Sequence, residues 1–167
     1  SYPTPTVAPV APLLKTKWGQ GAPFNRKCPK YNGNPMLTGC TATAMAQILN
    51  YYKSNSKGYD VLEYVNEGVG NKEISVDFTK ISYDWANMLD VYEAGSYTDA
   101  QADAVAQLMY EAGVSCKAKY DVTWSGTGVT SAAIPYVGFN RYYDYNCEIW
   151  VREYVPTKLW MTVIQEE

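Results

Sequence analysis

Apolar residues recur at Ala44, Met45, Ile48, Leu49 and Tyr52, the spacing of one buried face on a helix of 3.6 residues per turn. Gly39 and the loop before it cannot carry that helix backwards, so the pattern predicts a start here with Thr38 as N-cap. A second helix is marked more fully. Thr98-Asp99-Ala100-Gln101 has the form of a capping box, the stripe Ala102, Val105, Ala106, Met109 and Ala112 follows, and Gly113 is placed to stop it. Shorter elements are expected around these two. Alternation predicts strands over Ile74 to Phe78 and Val114 to Tyr120, and Tyr83 to Leu89 reads as a short helix or turn. Thr130 to Val137 reads as a short helix ended by Gly138, and Tyr142 to Trp150 as extended chain. Pro156 suits a helix start, with Leu159, Trp160, Val163 and Ile164 on one apolar face.

The remaining chain is punctuated by breakers. Pro3, Pro5, Pro9 and Pro12 make residues 1 to 12 an extended lead-in arm. Leu13 to Asn34 is too rich in Gly and Pro for a long element and reads as an ordered loop with a short helix near Leu13 to Trp18.

Composition narrows the classes of function. With 167 residues and 47% hydrophobic content, the chain suits one packed domain or a large part of a bigger one. A net charge of −3 without a Lys/Arg-dense run leaves no electrostatic footprint for nucleic acid or an anionic membrane. No apolar run approaches the roughly eighteen residues of a membrane span, and Ser1-Tyr2-Pro3 opens neither a basic nor an apolar leader. Any targeting segment is therefore expected to be already removed or never present. The 16 tyrosines and 5 tryptophans suit half-buried strands and aromatic loops better than a binding cleft.

Candidate chemistry centres on Cys40. In the first turn of a helix, unpaired N–H groups and the positive end of the helix dipole favour a thiolate. The alternative is a cysteine that only packs as a small apolar side chain. Histidine, the usual proton acceptor for such a nucleophile, is absent from the sequence. If Cys40 stays free, Cys28, Cys116 and Cys147 remain and allow at most one internal disulfide.

Longer motifs carry a family resemblance. Leu13-Leu14-Lys15-Thr16-Lys17-Trp18-Gly19-Gln20, then Pro23-Phe24-Asn25, Cys28-Pro29 and Thr38-Gly39-Cys40-Thr41-Ala42-Thr43-Ala44-Met45-Ala46-Gln47 resemble the opening of the catalytic domain of streptopain- and interpain-like bacterial cysteine peptidases. Tyr83-Asp84-Trp85, Leu89, the run Leu108 to Val114 and the loop Ser125-Gly126-Thr127-Gly128 extend the match, which covers the chain from about Val10 onward. The resemblance implies an α+β, papain-like fold with a helical N-terminal subdomain and the nucleophile at a helix N-terminus. Residues 1–9 would be a lead-in or pro-segment remnant, and 10–167 the N-terminal part of the catalytic domain.

By the same resemblance Cys40 is the nucleophile, Gln20 contributes to the oxyanion hole with the Cys40 N–H, and Gly39, Ser125, Gly126, Thr127 and Gly128 border the substrate. The implied activity is that of a secreted or cell-surface bacterial cysteine endopeptidase, made as a zymogen and acting on peptides or proteins. It requires no cofactor and no metal. In such a chain all four cysteines are expected as thiols rather than as a disulfide framework.

The departure from the family pattern is as plain. The histidine segment and the following Asn-Trp-Gly type segment lie beyond Glu167 in that pattern, and neither occurs here. The β-rich half of the fold is thus largely missing, the chain alone is expected to be inactive, and a C-terminal fragment of the same precursor carrying the histidine is the expected partner. The alternative is an inactive papain-like module that binds peptides or host proteins.

Overall fold

The computed structural model describes residues 11–68, 70–121 and 133–149, together with 154, 156, 157, 159 and 160. Two helices form its centre. Helix α1 (Cys40–Tyr52) packs against α2 (Asp99–Ser115), whose capping box is present as the sequence predicts: the Thr98 hydroxyl accepts from the Gln101 N–H and the Gln101 side chain from the Thr98 N–H. Every residue of the expected α2 stripe is buried, and Ala104, Leu108 and Val114 are buried too, so α2 is enclosed nearly all round.

The buried face of α1 is rotated from the expected one. Ala42, Met45, Ala46 and Leu49 face the core, whereas Ala44 is exposed and Ile48 and Tyr52 are 36% and 65% exposed. Two apolar stripes run along this helix, and only one is buried. The other, through Ala44, Ile48 and Tyr52, runs from the Cys40 end along the open side.

Two glycines read as helix stops serve close packing instead. Helix α2 continues through Gly113 to Ser115, because a Cβ at Gly113 would come within 2.3 Å of the Tyr120 hydroxyl and 3.4 Å of the Ala42 Cβ. Helix α3 (Ala133–Val137) likewise runs on into a π turn over Gly138–Tyr142; a Cβ at Gly138 would lie 2.8 Å from the Met45 Cε. The expected strand over Val114 to Tyr120 is replaced by the end of α2 and a turn, in which the Gly113 carbonyl accepts from the Cys116 and Ala118 N–H groups. No helix forms over Leu13 to Trp18, and 144–149 is irregular rather than paired.

Two antiparallel hairpins complete the description. The short pair β1 (Lys30–Tyr31) and β2 (Asn34–Pro35) turns through Asn32 and Gly33, both at positive φ. The larger pair joins β3 (Val61–Asn66), which the sequence reading missed, to β4 (Lys72–Asp77), which falls where Ile74 to Phe78 predicted a strand. Leu62 opposite Val76 and Tyr64 opposite Ile74 form the inner face.

This hairpin holds the chain that leaves α2. Tyr64 Oη donates to the Ala118 carbonyl at 2.8 Å, while the buried Asn66 side chain donates to the Tyr120 carbonyl at 3.0 Å and accepts from the Tyr120 N–H at 2.8 Å. The Tyr83–Leu89 stretch contains the short 3-10 turn Trp85–Asn87, as predicted. Past Pro156, the Trp160 N–H donates to the Pro156 carbonyl at 2.9 Å, which fits the expected helix start; Val163 and Ile164 lie outside the described residues. Among the described residues, no helix is long and apolar enough to cross a membrane.

Candidate active site

Cys40 is the first residue of α1 and is exposed, unlike Cys28 and Cys116, which are buried; no disulfide joins any of the four cysteines. Burial alone pushes the Cys28 thiol up to about 12. The N-cap is Gly39 rather than Thr38. Its φ of 88° and ψ of 151° lie in a region essentially reserved for glycine. The chain thereby turns sharply into the helix and leaves the Cys40 N–H in the first turn, where the helix itself supplies no carbonyl partner.

Thr38 has a different task. It is fully buried, and its Oγ1 lies 3.0 Å from the Thr43 Oγ1, which in turn donates to the Gly39 carbonyl at 2.9 Å. The same carbonyl accepts the first helical bond, from the Thr43 N–H at 3.1 Å. Sequence reasoning missed this pair; two threonines flanking a Gly-Cys step at a helix start were the available signal.

Gln20 is brought beside this turn through its backbone: its carbonyl accepts from the Thr38 N–H at 3.1 Å. The loop that carries it is anchored on both sides. Upstream, the Trp18 indole donates to the Leu89 carbonyl at 2.9 Å, the Lys17 N–H donates to the Asp90 carbonyl at 2.8 Å, and the Thr16 hydroxyl donates to Gln47 of α1 at 2.8 Å. Downstream, Arg26 reaches Asp99 at 3.0 Å and Asp103 at 3.4 Å on α2, and Phe24 stacks edge-on to Tyr92. Trp18, Phe24 and Asn25 are all buried, so the loop is part of the core surface.

Ser125, Gly126, Thr127 and Gly128 lie outside the described residues. Their nearest described neighbour, Asp121, accepts from the Leu37 N–H at 3.3 Å, three residues before Cys40.

Gly39→Ala is expected to cost about 1–3 kcal/mol of stability, the price of holding a Cβ at this φ and ψ. Thermal unfolding of the full-length protein checks this. An unchanged midpoint would mean that Gly39 does not hold the backbone conformation that reserves this position for glycine.

An exposed thiol opening the central helix of an α+β domain, with a glutamine-bearing loop tied to Thr38 two residues before it, is the arrangement of a papain-like cysteine peptidase fold. Interpain A, a cysteine protease of Prevotella intermedia, superposes with a TM-score of 0.79 at 36% identity, over 91% of this chain and 62% of that one. A prointerpain A fragment from the same organism matches at a TM-score of 0.78, again at 36% identity, over 91% of this chain and 49% of that one. Streptopain of Streptococcus pyogenes is 29% identical over 137 residues, which span 71% of this chain and 34% of streptopain. The chain belongs to the peptidase C10 family, whose sequence profile matches residues 18–167. It spans about a third of the length of the streptopains it matches.

Proposed function

We propose that this chain is the nucleophile-bearing part of a secreted or cell-surface bacterial cysteine endopeptidase, with 10–167 forming the N-terminal part of the catalytic domain and 1–9 a lead-in or pro-segment remnant. The observation that carries this reading is the exposed Cys40 at the first position of α1, with Gln20 hydrogen-bonded through its backbone to Thr38. Because the sequence holds no histidine, the base comes from a C-terminal part of the same precursor, and the chain by itself is inactive. The open Ala44, Ile48 and Tyr52 stripe that starts beside Cys40 is the face this part would cover.

The chemistry follows from that pairing. The histidine takes the thiol proton, Cys40 Sγ bonds to the scissile carbonyl carbon, and the carbonyl electrons move onto oxygen. Gln20 Nε2 and the Cys40 N–H donate to that oxyanion. Collapse breaks the C–N bond, the histidine returns its proton to the leaving amine, and water hydrolyses the thioester to release the acid and the free thiol. Gly39 and the Ser125, Gly126, Thr127 and Gly128 loop border the substrate, where backbone groups would pair with an extended peptide. The Asp121 bond to Leu37 supports this, since it holds the last described residue before that loop close to the Cys40 turn.

The deciding experiment is intact-mass analysis of the full-length, processed protein after iodoacetamide treatment near pH 6, with any co-purifying chain retained and sequenced. Fast, stoichiometric labelling confined to Cys40, together with a histidine-bearing second polypeptide, is the expected result. Labelling no faster than that of an ordinary exposed thiol would overturn the reading.

A further inference from the structure

We propose that the buried Thr38–Thr43 hydroxyl pair is a positioning device that fixes the plane of the Gly39–Cys40 peptide and so aims its N–H at the oxyanion. The proposal rests on the reading of Cys40 as nucleophile and adds residues that act on the reaction without touching substrate.

The geometry begins with the peptide itself. The Gly39 carbonyl and the Cys40 N–H belong to one planar trans unit and point in opposite directions. Whatever holds the carbonyl also aims the N–H. Besides the Thr38 hydroxyl at 3.5 Å, the Gly39 oxygen accepts two bonds from one residue, from the Thr43 N–H at 3.1 Å and the Thr43 hydroxyl at 2.9 Å. Both bonds draw it into the first turn of α1, so the Cys40 N–H points out of the helix end.

Proton counting and bond length together favour one direction for the relay. A hydroxyl has one proton. With Thr43 giving its proton to the Gly39 oxygen at 2.9 Å, Thr38 donates to Thr43 across 3.0 Å; the reverse order, Thr43 to Thr38 and Thr38 to the Gly39 oxygen at 3.5 Å, uses the longer and weaker bond. Thr38 is fully buried and Thr43 is 8% exposed, which keeps water from competing for these bonds. The clamp sits where the chain most needs one. Gly39, at φ 88° and ψ 151°, has no Cβ to restrict rotation of the peptide that follows it.

A hydroxyl bonding to the carbonyl four residues back is a common helical habit, and as such would affect stability alone. The positioning role makes a different demand. Acylation builds an oxyanion, whereas alkylation of the thiol by iodoacetamide displaces iodide and builds none. A defect confined to the oxyanion site must therefore slow turnover and spare alkylation.

The test uses the full-length, processed protein carrying Thr43→Val, Thr43→Ser or Thr38→Val. Thr43→Val is expected to lower kcat by about ten- to a hundredfold, short of the 10²–10³ typical for deleting an oxyanion donor. KM and the rate of Cys40 alkylation are expected to stay within about twofold, and Thr43→Ser to recover most of the loss. Thr38→Val leaves the Thr43 bond to Gly39 intact and is expected to lower kcat only a few-fold, which keeps the test open should Thr43→Val fail to fold. Turnover unchanged in the folded variants, or alkylation falling in step with kcat, would overturn the proposal. Failure of the underlying reading looks different: Cys40→Ala would then retain wild-type turnover.

Discussion

Cys40→Ala in the full-length, processed protein is expected to bring peptide hydrolysis down to background, a loss on the order of 10⁵-fold or more. The loss should come without a folding defect. Cys40 is exposed at the open end of α1, and substitutions at such positions usually shift stability by no more than about 0.5 kcal/mol. The other thiols supply the contrast. Cys28 and Cys116 are 3% and 1% exposed, and burial pushes the Cys28 thiol up to about 12, which removes it as a nucleophile at neutral pH. Cys28→Ala and Cys116→Ala should therefore lower the unfolding midpoint and leave turnover per folded molecule intact. Turnover per folded molecule and unfolding midpoint, measured on the same preparations, separate the two outcomes. A Cys40→Ala protein that still cleaves peptide at the wild-type rate would remove Cys40 from the mechanism.

Features set by local chemistry were legible in the sequence. The capping box of α2 involves residues three apart, and its stripe is apolar enough to be buried on almost any packing. Cys40 at a helix start was legible for the same reason, since Gly39 and the apolar run after it mark the boundary.

What was misread depends on partners distant in sequence. Nothing near Gly113 announces that the Tyr120 hydroxyl will stand 2.3 Å from where its Cβ would be, and nothing near Gly138 announces Met45. Helix α1 carries two apolar stripes, and periodicity cannot say which one is buried. Strand β3 escaped notice because Val61 and Val65, its most β-prone residues, lie on its outer face. Thr38 was assigned as N-cap because threonine favours that position, but the positive φ at Gly39 moves the cap one residue on and turns the Thr38 hydroxyl inward to Thr43.

The candidate site inherits this division. Cys40 and Gln20 stand out from residue type and neighbourhood, whereas the bonds that would make them a site cross the fold. Gln20 to Thr38 spans the loop, Leu37 to Asp121 joins the helix start to the chain leaving α2, and Trp18 to Leu89 pins the loop from behind. A sequence shows the reacting groups more readily than the scaffold that aligns them.

Gln20→Ala tests how far that scaffold separates backbone from side chain. The backbone of Gln20 is held by its own carbonyl, which accepts from Thr38, and its loop by the Trp18, Lys17 and Arg26 contacts; none of these uses the Gln20 amide. Truncation should leave the loop in place and remove one oxyanion donor, lowering kcat by about 10²–10³ with KM little changed. Gln20→Glu sharpens the test. It keeps the shape of the side chain, but near neutral pH it exchanges an N–H donor for a carboxylate beside a developing negative charge, so its kcat should fall at least as far as that of Gln20→Ala. A glutamine that merely packs would behave in the opposite way, with the isosteric glutamate milder than alanine and both changes registering in the unfolding midpoint. Alkylation of Cys40 completes the comparison, because it needs no oxyanion and should proceed at the wild-type rate in both variants. If Gln20→Glu turns over faster than Gln20→Ala while stability follows the same order, Gln20 belongs to the loop and not to the chemistry.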